Sequence, residues 1–220
     1  MNVEGPRNIA AAANEIGARL IHISTDSVFD GNSSTPYTVE AETNPLNTYG
    51  RTKRDGELAV LQESPASAVV IRTSWLYSSY GNNFVKTMLR LMEERDELGI
   101  VADQFGTPTR ASSLAEVIWA FAGAPQHRGV FHWSDHGETN WHEFALAIQE
   151  EALSCGLLKK AIPVHAITSD EYPAAALRPR YSGLDCSATQ VALGIRSTDW
   201  RSNLKEIFKE IDYYFQICCQ

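Results

Sequence analysis

A chain of 220 residues, 44% hydrophobic and 21% charged, has the make-up of an ordinary folded globular protein. A formal net charge of −8 argues against nucleic acid or an anionic membrane as a partner. No apolar run approaches the roughly 18 residues a bilayer span needs, and MNVEGPRN does not read as a secretory signal. Residues 7–17 (RNIAAAANEIG) are Ala-rich and end in Gly, which predicts a helix with a C-terminal stop. ARLIHIST follows as a nearly continuous apolar run, the pattern of a strand buried on both faces of a parallel sheet. DGNSSTP is loop chemistry, and residues 48–63 read as a helix in spite of Gly50 and Gly56.

SAVVIRTS is a second buried strand, NNFVKTMLRLMEERDE an amphipathic helix, and LGIVA a third strand. SSLAEVIWAFAG then reads as a helix, GVFHWS as a fourth strand and WHEFALAIQEEALSCG as a helix. KKAIPVHAITSDEYPAAALRPRYS looks irregular, and the chain closes with a helix through 201–216. Strands alternating with helices predict an α/β fold, a Rossmann-like and largely parallel sheet flanked by helices. Residues 1–135 are expected to form the nucleotide-binding and catalytic part. Residues 136–220 are expected to form a smaller α/β substrate lobe, interleaved with the first. Cys155, Cys186, Cys218 and Cys219 lack metal-site or disulfide-framework spacing and read as free thiols of a reducing cytoplasm. His132 and His142 have no acidic or thiol neighbour at ligand spacing, so no metal site is expected, and His22 reads as a packed core residue.

Three residues carry chemistry. Thr25 ends the first apolar run, and Tyr49 and Lys53 stand at i and i+4, on one helix face. A free phenol ionises near pH 10, too high to exchange protons readily at neutral pH, and a neighbouring ammonium favours the phenolate. Tyr49 is thereby suited to protonate a carbonyl oxygen as hydride reaches its carbon, with Thr25 hydrogen-bonding the same oxygen. The C-terminal edge of a parallel sheet is where ligands of such folds bind. A lone Tyr-x-x-x-Lys match is unspecific and equally describes a solvated helix pair. The upstream STD strand end and the downstream RTSW strand end give it context.

The chain resembles the extended short-chain dehydrogenase/reductases, and within them the dTDP-4-dehydrorhamnose reductases. The resemblance rests on NVEGPRNIAAAA, ISTDSVFDG, PYT, NPLNTYGRTKRDGE, VVIRTSWLYSSYGNNFV, DQFGTPT, GVFHWS and RPRYSGLD, in order over nearly the whole chain. It implies reduction of a dTDP-4-keto-6-deoxy-mannose to dTDP-L-rhamnose by NADPH (or NADH). It implies Thr25, Tyr49 and Lys53 as the catalytic residues, with Lys53 also bonding the nicotinamide ribose. Ser24, Arg72, Thr73 and Ser74 join Tyr49 and Lys53 on the cofactor. Asp26, Val28, Phe29, Trp75, Asn83 and Gln104 join Thr25 on the nucleotide-sugar substrate. Phe84, Asp103 and Thr107 fall in the same substrate-side segments. From the residues alone, Trp75 is equally a core side chain and Asn83 equally a helix cap. Mg²⁺ is implied by the resemblance only.

The family's glycine-rich phosphate loop has no counterpart in residues 1–220, where neither GxGxxG nor GxxGxxG occurs. The nucleotide-binding half is therefore expected to be N-terminally incomplete, with the first sheet strand exposed at an edge. A chain of limited stability is expected, either a homodimer or completed by a partner supplying the other half. RPRYSGLD also carries Tyr181 and Gly183 where the family commonly has Asn and Arg, and Ser27 stands where Tyr is common. Two other functions share this pattern. One is a non-catalytic regulatory subunit similar to the methionine adenosyltransferase β subunit. The other is an epimerase or dehydratase, although a dehydratase would carry an acid pair beside Thr25 where only Asp26 stands.

Overall fold

The computed structural model describes residues 1–172 and 176–218, with 212–218 described by backbone alone. The central sheet has three parallel strands in the order β1 (Ile21–Thr25), β2 (Val69–Thr73), β7 (Gly129–His132). Its register pairs Thr25 with Thr73 and Arg72 with His132, so the functional ends of β1 and β2 lie side by side. β2 shows why it opens on three apolar residues in a row. Val69 and Ile71 pack with Leu114, Val117 and Phe121 of α4 (Ala111–Ala122) on one face. Val70 packs with Ala10 of α1 (Glu4–Glu15) and Val60 of α2 (Thr48–Glu63) on the other.

The two glycines that weaken α2 on propensity are there because backbone passes close by. A Cβ on Gly50 would stand 2.1 Å from the Ser27 carbonyl oxygen, and one on Gly56 would stand 2.2 Å from that of Asn2. Asn47 caps α2, its side chain accepting from Gly50 N at 2.8 Å. The helix is thus started by a cap and pressed against the turn that follows β1.

A second apolar body surrounds α3 (Phe84–Glu94), α5 (Trp141–Ser154) and α7 (Trp200–Cys218). Its core joins Tyr77, Val85, Met88 and Leu98 to Phe144, Ile148, Leu204 and Ile207, so early and late segments share one interior. The predicted strand LGIVA forms as β4 (Leu98–Val101) but lies in this body, parallel to β9 (Val164–Ile167) and apart from the central sheet. β9 corrects the irregular reading of 159–182. Its four residues alternate too weakly and sit too near Pro163 to declare a strand without the partner that β4 supplies. Short pairs were also silent in the sequence: β3 (Leu76–Tyr77) with β6 (Thr109–Arg110), and β5 (Phe105–Gly106) with β8 (Thr139–Asn140). So was α6 (Ser187–Leu193). No helix among the described residues is long and apolar enough to cross a membrane.

Candidate active site

β1 ends at Thr25 and breaks into a 3-10 turn, Asp26–Val28, capped by the Thr25 hydroxyl accepting from Ser27 N at 3.2 Å. Thr25 and Asp26 are both buried, and Thr25 Oγ1 donates to Asp26 Oδ1 at 3.0 Å. Burial raises the Asp26 pKa, opposed by hydrogen bonds from Ser182, Thr25 and Ser27. The close contact of Gly50 with Ser27 sets α2 beside this turn. Tyr49, one residue earlier, is 53% exposed in the cleft. Its phenol has no hydrogen-bond partner among the described residues.

One turn on, Lys53 Nζ donates to the Ile23 carbonyl at 2.6 Å, which ties the helix face to β1 two residues before Thr25. Burial lowers the Lys53 pKa, and the charge of Glu57 partly restores it. Beneath Lys53 lies a buried polar chain. Arg72 donates to Glu57 through Nε (3.1 Å) and Nη2 (2.8 Å), its Nη1 approaches His132 Nε2 at 3.4 Å, and its guanidinium lies 5.2 Å from the Phe29 ring centre. His132 Nδ1 meets the Tyr37 carbonyl at 3.0 Å. Burial, then the Arg72 charge, pushes the His132 pKa down to about 3, so the ring is neutral. A neutral ring with its proton on Nδ1 donates to Tyr37 and accepts from Arg72.

Thr25, Asp26, Tyr49, Trp75 and Gln104 line one cleft of about 580 Å³. A neighbouring cleft of about 720 Å³ shares Gln104, Trp141 and Arg178 with it and adds Phe84, Arg95 and Arg180. Trp75 forms the wall between the β2 end and this cleft. Its φ of 44° is left-handed, a strained conformation for a bulky residue. The strain is held by an indole stack on Trp141 with centroids 3.6 Å apart, and by Thr109 N donating to the Trp75 carbonyl at 3.2 Å. Gly106 gives the indole room, since a Cβ there would stand 2.9 Å from it. Gln104 is fixed by donating to Ser169 Oγ at 2.9 Å, and that hydroxyl donates to Asp103.

The other expected site residues lie elsewhere. Val28 and Phe29 have fully buried side chains, and Phe29 stacks on Tyr37 with centroids 4.1 Å apart, so neither side chain lines the cleft. The Arg72 guanidinium is taken up by Glu57 and His132, as its burial requires: a charge this deep needs a carboxylate partner. Asn83 caps α3, accepting from Lys86 N at 3.3 Å and donating to the Ser78 carbonyl at 2.7 Å. Ser74 Oγ donates to the Thr107 carbonyl at 2.7 Å, which pins the loop carrying Thr107 to the end of β2. Ser24 Oγ and Thr73 Oγ1 are buried without a partner.

Several lining residues were not singled out from the sequence: Arg51, Trp141, Arg178 and Ser182. Arg178 and Ser182 fall within RPRYS and had a signal. Trp141 had none, because nothing local distinguishes a helix-start tryptophan that stacks on a distant one.

The description "RmlD substrate binding domain" matches residues 1–213. The chain is 42% identical over 212 residues to a dTDP-4-dehydrorhamnose reductase of Aggregatibacter actinomycetemcomitans, covering 94% of this chain and 72% of the relative. It is 40% identical over 215 residues to the Escherichia coli K12 protein of that name, covering 96% and 72%. It superposes with a TM-score of 0.89 on the dTDP-4-dehydrorhamnose reductase of Bacillus anthracis solved in complex with NADP, at 37% identity, covering 96% of this chain and 72% of that one. The chain belongs to the RmlD substrate-binding-domain family.

Proposed function

We propose that this protein acts in the NADPH-dependent reduction of dTDP-4-dehydro-6-deoxy-L-mannose to dTDP-L-rhamnose. The observation that carries this reading is the meeting of Thr25 and Tyr49 in one cleft at the C-terminal end of β1, with Lys53 tied to the same strand behind them. A bound nicotinamide supplies the hydride. The orphaned hydroxyls of Ser24 and Thr73, at the ends of β1 and β2, fit a polar cofactor group that would satisfy them. Lys53 would hold the ribose of that cofactor.

The chemistry left to the side chains is a proton. As C4 of the sugar gains hydride, its oxygen gains electron density and takes the Tyr49 phenol proton, so that C=O becomes CH–OH. Thr25, Trp75 and Gln104 hold the sugar. Phe84 and Tyr172 give the larger cleft an aromatic lining for a base, while Arg95, Arg178 and Arg180 offer guanidinium groups to a diphosphate. Residues 136–220 act in this reading as the substrate lobe. Among the described residues no group of three His, Cys, Asp or Glu could hold a metal, so no residue is assigned to Mg²⁺.

The test is NADPH oxidation followed at 340 nm with the dTDP-4-keto sugar, run beside a fluorescence titration of NADPH. Tyr49→Phe is expected to abolish turnover while leaving NADPH affinity nearly unchanged. Undiminished turnover by that variant removes Tyr49 from the chemistry. NADPH binding without turnover by the unaltered protein supports the non-catalytic alternative.

A further inference from the structure

We propose that Asp26 is a positioning residue that holds the hydroxyl proton of Thr25, so that Thr25 offers the cleft a lone pair until Asp26 is itself protonated. The inference follows from counting protons. A threonine hydroxyl has one proton and two lone pairs. Here the proton goes to Asp26 Oδ1 at 3.0 Å, and one lone pair accepts from Ser27 N at 3.2 Å. One lone pair remains, and only a donor can satisfy it. A ketone oxygen is not a donor, whereas the alcohol made from it is.

While Asp26 is a carboxylate, Thr25 therefore matches the alcohol and leaves the ketone to Tyr49. When Asp26 carries a proton, its acid O–H donates to Thr25, and the Thr25 proton is released for a carbonyl oxygen. Every donor and acceptor of the hydroxyl is then used.

The surroundings of Asp26 support such a role. It is buried, it lines the cleft, and its partners are hydroxyls and a backbone N–H: Thr25, Ser27 and Ser182. Ser27 Oγ approaches the same oxygen at 3.4 Å. Among the described residues no cation forms an ion pair with it. Arg51 and Arg178 line the cleft from α2 and from the 176–182 segment, with Tyr49 as the other titratable group that α2 gives to its lining. Lys53 faces Ile23 instead, and Arg72 is taken by Glu57. Burial raises the Asp26 pKa, opposed by the hydrogen bonds from Ser182, Thr25 and Ser27.

The substrate half of this inference rests on the reductase reading, and the Thr25–Asp26 bond itself does not. The experiment therefore begins without substrate. The carboxyl carbon of Asp26 is titrated by ¹³C NMR in the aspartate-labelled full chain, with Asp26→Asn assigning the resonance. A donor to the carboxylate favours the charged form, so its loss in Thr25→Val is expected to move the midpoint to higher pH, while Thr25→Ser restores it. A midpoint unchanged by Thr25→Val overturns the proposal. Should that variant not fold, the Thr25 hydroxyl proton of the unaltered protein is followed instead. It is expected to shift as Asp26 titrates, and a resonance indifferent to Asp26 overturns the proposal. With the keto sugar, kcat/KM is expected to fall as pH rises through the Asp26 midpoint, and Thr25→Val to lose that limb. Absence of turnover at every pH would count against the reductase reading and leave the NMR result to decide the hydrogen bond.

Discussion

Replacing Glu57 by Gln keeps the shape of the side chain and removes one charge. Glu57 and Arg72 are buried, with side chains 2% and 7% exposed, and three N–O distances between them run from 2.8 to 3.2 Å. The guanidinium left behind has a neutral imidazole at 3.4 Å and the face of Phe29 at 5.2 Å, neither of which replaces a carboxylate. Removing one partner of a buried pair costs about 3–5 kcal/mol. With a urea dependence of about 2 kcal/mol per M, that is a midpoint lowered by roughly 2 M. Urea unfolding followed by tryptophan fluorescence reads it directly. Glu57→Gln combined with Arg72→Met is expected to recover most of the loss, because the orphaned charge disappears with its partner. A single-variant loss below about 1 kcal/mol, the scale of an exposed pair, would refute the claim that this pair is buried beneath the site.

Gly50→Ala should gain about 1 kcal/mol of helix propensity and yet destabilise the protein and slow turnover. The new Cβ meets the Ser27 carbonyl and pushes α2, with Tyr49, away from the Thr25 turn. Melting temperature and kcat measured together check this. His22 and His132 are held neutral in the fold, with pKa values pushed down to about 4 by burial, then the Lys53 charge, and to about 3 by burial, then the Arg72 charge. The unfolded chain takes up protons near pH 6.5, so their contribution is complete above that pH and is lost as pH falls toward 4 and 3. Urea midpoints should fall between pH 7 and pH 4, less steeply for His22→Leu. Gly106→Ala should displace the strained Trp75 indole and weaken sugar-nucleotide binding more than NADPH binding, as measured by titration with each ligand.

The glycines of α2 show how local rules and tertiary contact compete. On propensity they count against a helix, and the helix forms over 48–63 regardless because backbone from two other segments occupies the space their side chains would need. Arg72 shows the same competition at the site. An arginine at the end of a buried strand in RTSW invites a ligand role, and its partner Glu57 lies 15 positions away on a different element. The Lys53–Glu57 spacing does place the carboxylate one turn below the lysine on the same helix face, which is the trace of this network that the sequence does carry.

The sequence by itself determined the alternation of β1, α2, β2, α4 and β7, because short continuous apolar runs and 3.6-residue apolar periods are local properties. It also determined that Thr25 ends a strand and that Tyr49 and Lys53 share a helix face. Only the tertiary structure decided that LGIVA leaves the central sheet for β9, since pairing between segments more than 60 residues apart depends on which edge is available. Only it decided that Trp75 adopts a left-handed backbone against Trp141, that Asn83 is a cap, and that the Thr25 proton belongs to Asp26. These depend on which groups are left unpaired once the chain is buried, a property of the packed interior that no stretch of sequence contains.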